Sequence, residues 1–278
     1  MHSQKIHNKK LILPVLIFLA GCLALAAVLY HSYRTNLKQV RAVTELNAIT
    51  YAERLQNDMN RGVAITDTLE EIVLSENGKI DNFQKVAGNL MTDFVQSIQV
   101  APDGVVTDIY PEAGNEAGKI DLIHDESRGE ICRYGRDKNI VTMQGPFDLK
   151  QGGRGIAIRN PVYLECPDGT SAFWGFTIVI IRIPEVFEKS VQALTQFGYD
   201  YCLTKTVSPL SDDTEVVSSS GNNLKEPITF EFEFCGSTFG LEVMPTDGWN
   251  HGWNILPQLV FGISIILLLT GLTVIVLV

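Results

Sequence analysis

Residues 155–164 read GIAIRNPVYL, an apolar stretch with the pattern of a buried strand and a guanidinium, Arg159, at its centre. A buried cation without a partner is costly. Two arrangements relieve it. Arg159 either pairs with an internal acid, with Asp108, Asp148 and Glu165 as candidates, or faces a pocket and meets an anion from outside. Alternate residues of a strand face the same way. Ile156, Ile158, Val162 and Leu164 then form a plain core face. Ala157, Arg159 and Tyr163, with Pro161, form the other. A small residue, a cation and a phenol suit the wall of a small-molecule site. A guanidinium holds a carboxylate or phosphate in two-point geometry. The chemistry this stretch offers is therefore binding of an anionic small molecule.

Other chemistry is thinly represented. QGGRG (151–155) has the glycines of a phosphate loop, but a phosphate cradle opens a helix and here a strand follows, which reads as a hairpin turn. His124 stands beside Asp125 and Glu126 without a second ligand at metal spacing, so a solvated loop is expected. Ser127 has no base to activate it. No cofactor motif and no CxxC pair is present. Cys132, Cys166, Cys202 and Cys235 allow three pairings. Cys202 with Cys235 is favoured among these, and four free buried thiols are an equal alternative.

Two charge-free apolar runs bracket the chain, Leu11–Tyr30 and Ile255–Val278. Each is long enough to cross a hydrocarbon core of roughly 30 Å as a helix. The length of the first favours a retained anchor over a cleaved signal. Lys5, Lys9 and Lys10 precede it, which places residues 1–10 in the cytoplasm. All 32 acidic residues lie between the runs, against nineteen Lys and Arg, so residues 31–254 carry −13. That region is expected to be extracytoplasmic, and its charge speaks against nucleic acid as a partner. Trp249 and Trp253 fall where interfacial aromatics belong. With nothing beyond the second run, any cytoplasmic output is expected to lie outside this chain.

Between the runs, apolar residues recur every three or four positions from Leu37 to Met59, which predicts a stalk helix over 31–62. Two further helices are expected at 63–75 and 81–94. SIQVAPDGVVTDIYP reads as a hairpin about Asp103-Gly104. The polar stretch 114–139 reads as a loop with one short helix. TMQGPFDLKQGGRGIAIRNPVYL reads as strand, turn, strand, and FWGFTIVIIRI as a central strand. After the helix PEVFEKSVQALTQFG come four more strands, of which ITFEFEF alternates strictly and has one wet face. The pattern is α+β.

Several stretches taken together resemble the CHASE family: IQVAPDGVVTDIYPEAGNEA, QGPFDLKQGGRGIAIRNPVYL, FWGFTIVII and GYDYCL. These are extracytoplasmic sensor domains of bacterial histidine kinases and diguanylate cyclases, and of plant cytokinin receptors. The resemblance covers about residues 60–205. It implies a stalk helix and two tandem PAS-like subdomains, here 63–183 (membrane-distal) and 184–252 (membrane-proximal). It also implies a ligand in the distal subdomain and a kinase or cyclase (cyclic di-GMP) output after the second span. In the plant receptors an aspartate in the connecting segment grips an adenine-type ring. Arg128 stands near that position, and Arg159 replaces a small hydroxyl residue two before PVY. Both departures speak against a cytokinin-like ligand.

The residues expected to hold the ligand are Arg159, with Arg128, Tyr110, Tyr163 and Trp174 as helpers; Trp174, like Phe176, suits the core better than the pocket. The first reading is the sensing module of a two-span signalling receptor. A two-span binding adaptor without its own output is the second. An extracytoplasmic enzyme comes last, since no nucleophile–base pair or metal set is legible. A homodimer is expected, as symmetric pairs are the commonest assembly.

Overall fold

The computed structural model describes residues 2–112, 118, 120–149, 152–250 and 252–277, with side chains from residue 12 onward. The chain forms two compact units, one of residues 1–44 with 247–278 and one of residues 45–246.

In the first unit, the N-terminal part of α1 (His2–Ser75) packs against α5 (Ile255–Leu277). A Cβ placed on Gly21 would lie 2.9 Å from Ile266 Cγ1, so the missing side chain sets the helix–helix approach. Small residues serve this purpose in lipid, where apolar burial does not drive association. Tyr33 meets Trp253 edge-on with centroids 5.1 Å apart, and Arg41 lies over Trp249 at 4.6 Å. Both helices are long and apolar enough to cross a membrane.

In the second unit α1 runs on to Ser75 without the break expected near residue 62. Its apolar stripe stays in phase: Leu55, Met59, Ile65, Leu69 and Val73 are all buried. Gly62 lets α1 come close to the first sheet. A Cβ there would sit 2.8 Å from Ile158 Cδ1 and 3.1 Å from Ile181 Cγ2. Helix propensity alone would make Gly62 a breaker worth about 1 kcal/mol, but the packing on both sides outweighs it.

The first sheet has five strands in the order β2-β1-β5-β4-β3, all antiparallel. These are β1 (Val95–Pro102), β2 (Asp108–Tyr110), β3 (Thr142–Asp148), β4 (Arg154–Glu165) and β5 (Ser171–Ile183), with FWGFTIVIIRI central as expected. One face, with Ile98, Ile156, Ile158, Val179 and Ile181, joins the core under α1 and α2 (Phe83–Leu90). The other face carries Ala101, Ile109, Phe176 and Ile178, covered by Ile131 and Cys132 of α3 (Gly129–Lys138) and by Leu122 and Ile123.

A short turn, Glu185–Phe187, leads into α4 (Glu188–Gln196). The second sheet follows in the order β7-β6-β9-β8. It comprises β6 (Tyr199–Thr206), β7 (Thr214–Ser219), β8 (Ile228–Phe234) and β9 (Ser237–Pro245). On β8, Thr229, Glu231 and Glu233 are exposed between half-buried residues, the wet face read from ITFEFEF. All five cysteines are free thiols. The favoured Cys202–Cys235 pair is not made: Cys202 faces Glu242 in mid-sheet, whereas Cys235 turns the β8–β9 hairpin in left-handed backbone with Gly236. Burial pushes the Cys235 thiol up to about 12.

Candidate functional site

Strand pairing settles which way Arg159 points. It stands opposite Thr142 on β3 and Ile178 on β5, and Ile178 in turn stands opposite Gln99 on β1. This row belongs to the α3 face of the sheet. Beyond the end of α3 the same face is uncovered and opens into a cavity of about 590 Å³. Ile178, Ile180, Leu122, Pro146 and Phe147 give it an apolar body. Ser97, Gln99, Gln144, Arg128, Asp148 and Arg159 bring polar groups into it. A few convergent polar groups in an apolar hollow are what a small-molecule site requires.

Arg159 is 3 % exposed. Its Nε and Nη1 have no hydrogen-bond partner among the described residues. Burial is the main influence lowering its pKa, opposed by Cys132 and by the Asp125 charge, with the Arg128 charge lowering it further. A guanidinium nevertheless keeps its proton. None of the three internal acids considered from sequence forms an ion pair with it. Asp108 accepts from Thr107 Oγ1 at 2.8 Å, Asp148 stands opposite Arg154, and Glu165 stands opposite Ser171 at the far end of β4. The wall therefore holds a desolvated positive charge that no ion pair meets among the described residues, with Asp125 opposing it only at longer range.

Arg128 lines the same cavity from the residue before α3. Asp125 organises that loop. Its Oδ1 accepts from Ser127 Oγ at 2.7 Å, Ser127 N at 2.9 Å and Arg128 N at 2.9 Å, while its Oδ2 takes Arg128 Nη1 at 3.2 Å. These bonds, the Ser127 hydroxyl first, hold the Asp125 carboxyl below the usual carboxylate range. Gln144 Nε2 donates to the Ser127 carbonyl at 2.8 Å and ties β3 to the loop.

The second sheet also supplies lining, through Val207 and Glu215. Arg154 Nη2 donates to the Val216 carbonyl at 3.3 Å, joining β4 to β7. Glu215 Oε1 lies 3.3 Å from Lys205 Nζ, and the Lys205 side chain is fully buried. Burial lowers the Lys205 pKa, and the Glu215 charge opposes that shift.

The other three helpers lie elsewhere. Tyr110 stands opposite Ile98, on the helix face of the sheet, and its hydroxyl approaches Gly88 of α2. Trp174 Nε1 donates to the Gly78 carbonyl at 3.0 Å beyond the end of α1. Tyr163 shares the Arg159 face but sits past a register shift after Val162; its hydroxyl donates to the Arg136 carbonyl and its ring meets Phe173 edge-on. His124 bonds Asp121 through Nδ1 at 2.8 Å. Sequence reading missed Gln144, Gln99 and Glu215, which nothing but strand register and sheet-to-sheet packing brings to Arg159. Part of the motif ending GNEA, residues 113–117, lies outside the described residues.

A long helix followed by two antiparallel sheets, with a cavity on the first, defines a tandem PAS-like sensory fold. The chain belongs to the CHASE domain family, whose profile matches residues 30–215. Among solved structures it is similar to an extracellular ligand binding receptor from Desulfohalobium retbaense DSM5692, with TM-score 0.54, 12 % identity, and coverage of 72 % of this chain and 39 % of that one. At this identity the likeness is one of fold, and the chain spans less than half of that receptor. The periplasmic sensory domain of the Campylobacter jejuni chemoreceptor Tlp1 aligns with TM-score 0.49 and 13 % identity over 79 % of this chain and 99 % of that one. The periplasmic domain of RsbU from Chlamydia trachomatis aligns with TM-score 0.49 and 8 % identity over 78 % and 96 %. No match was found among curated protein sequences.

Proposed function

We propose that this chain is the extracytoplasmic, ligand-sensing input module of a membrane signalling receptor, and that its signal is a small anion held by Arg159 with Arg128. The observation that carries this reading is the buried Arg159, whose Nε and Nη1 have no partner among the described residues, on the wall of a cavity of about 590 Å³. An anion entering there gains charge-assisted hydrogen bonds in a medium of low dielectric. Residues 1–10 lie in the cytoplasm, the sensory unit lies outside, and the second span leads to a histidine kinase or diguanylate cyclase. A homodimer is the signalling form. A ligand shifts such a receptor only by its differential affinity for two states. Because the cavity is lined by both sheets, their relative packing is the natural element to bias.

A thermal-shift screen of the full chain in detergent against small carboxylates, phosphate and sulfate tests the reading. At a hundred times its dissociation constant a ligand stabilises by about 2.7 kcal/mol. The expected result is a stabilising anion whose effect disappears in Arg159→Ala. An anion effect that survives Arg159→Ala, or none with any anion, overturns the reading.

A further inference from the structure

We propose that the Arg159 cavity selects an anion that carries a hydrogen-bond donor beside its charged oxygens, and that Gln144 makes the selection; this rests on the anion reading above. The observation is the orientation of one amide. Gln144 stands opposite Ala157 across β3 and β4, so it shares the cavity face with Arg159 and is its diagonal neighbour. Such neighbours are about 7–8 Å apart, a span that side chains of this length close. Gln144 Nε2 donates to the Ser127 carbonyl at 2.8 Å. A carbonyl oxygen only accepts, so this bond fixes which end of the amide is nitrogen. Oε1 is the other end. It is buried and has no partner among the described residues, as are Arg159 Nε and Nη1 on the same face.

The wall thus presents unmet donors together with an unmet acceptor. A bare carboxylate or a sulfate answers the donors alone, and brings oxygen lone pairs toward an acceptor already lacking a hydrogen. Leaving a buried acceptor unmatched is what costs affinity. A ligand with both an anionic group and an adjacent donor answers all of them. Two chemistries supply this pattern: a carboxylate bearing an α-hydroxyl or α-ammonium group, and hydrogen phosphate, whose P–O–H lies beside its charged oxygens.

The test is calorimetric titration of the full chain in detergent at pH 7 with two matched pairs, glycolate against acetate and hydrogen phosphate against sulfate. The donor-bearing member of at least one pair should bind at least tenfold more tightly, a ratio set by the one unmatched acceptor. The pair that shows it identifies the source of the anion. In Gln144→Met the ratio should collapse toward one. Methoxyacetate, which keeps the glycolate skeleton and blocks its donor, needs no variant and should bind as weakly as acetate if the carboxylate pair shows the preference. Equal affinities within both pairs, or a ratio that Gln144→Met leaves intact, overturn selection by Gln144 and leave the anion reading standing. If none of the four anions binds, both fall.

Discussion

Arg159 carries its charge where two of its nitrogens are buried and meet no acceptor among the described residues. A folded protein that keeps such a group without a ligand bears a stability cost. An Arg159→Met replacement keeps the stem and removes the charge. Replacing buried ionic groups by apolar residues of similar volume leaves stability unchanged or raises it by about 1–4 kcal/mol. Urea unfolding in anion-free buffer should therefore show Arg159→Met no less stable than the parent. A loss of about 3–5 kcal/mol, the cost of breaking a buried pair, would show an internal partner instead. Lys205 gives a pH prediction. Burial depresses its pKa below the ordinary 10.5. Above the folded pKa the unfolded chain binds more protons, so the parent gains stability relative to Lys205→Met as pH rises toward 10.5 and loses that gain as pH falls through the folded value. Unfolding of both proteins at pH 7 and pH 10 checks the sign. At this scale the sequence made Arg159 conspicuous, because a cation in GIAIRNPVYL breaks an apolar run. Gln144 and Glu215 are ordinary polar residues in half-exposed strands, and nothing in their own neighbourhoods singles them out.

At the scale of the elements, the crossing of α1 over the first sheet depends on Gly62. A Cβ there would lie 2.8 Å from Ile158 Cδ1 and 3.1 Å from Ile181 Cγ2, closer than ordinary contact. Gly62→Val adds two methyls beyond it, and overpacking of this kind costs about 1–3 kcal/mol. Thermal unfolding should show the loss, whereas Gly153→Ala, in the open β3–β4 turn where no atom lies within 4 Å of a Cβ, should cost only its left-handed backbone. The face parity of β4 was legible, since alternation is local: Ile156 and Ile158 face the helices, Ala157 and Arg159 the opposite face, on which the cavity opens at Arg159. The placements of Tyr110, Tyr163 and Trp174 were not. Each depends on which residue a neighbouring strand sets opposite it, or on the irregularity after Val162, and strand register is a property of pairs rather than of one strand.

At the scale of the molecule, residues 45–246 have their own cores on both faces of the first sheet and through the second. They should fold without either apolar helix. A protein cut to these residues is expected to unfold cooperatively on heating, and a broad, non-cooperative melt would contradict that. The orientation is checked separately. In a protein whose five native cysteines are replaced by serine, a cysteine placed at Ser3 should be protected from an impermeant thiol reagent in intact cells, and one placed at Asp168, in the β4–β5 turn, should react.

The amino-acid sequence by itself determined the two apolar helices, the α+β pattern, the family resemblance and the conspicuous cation Arg159 in an apolar strand. These are readable because hydrophobic period, run length and charge act over a few neighbouring residues. Only the tertiary structure decided that Arg159 forms no ion pair with Asp108, Asp148 or Glu165, that Arg128 and Gln144 stand with it at one cavity, and that the second sheet contributes Glu215 to the wall. Those outcomes turn on register and on the packing of strands far apart in the chain, where a shift of one residue would carry a side chain to the opposite face.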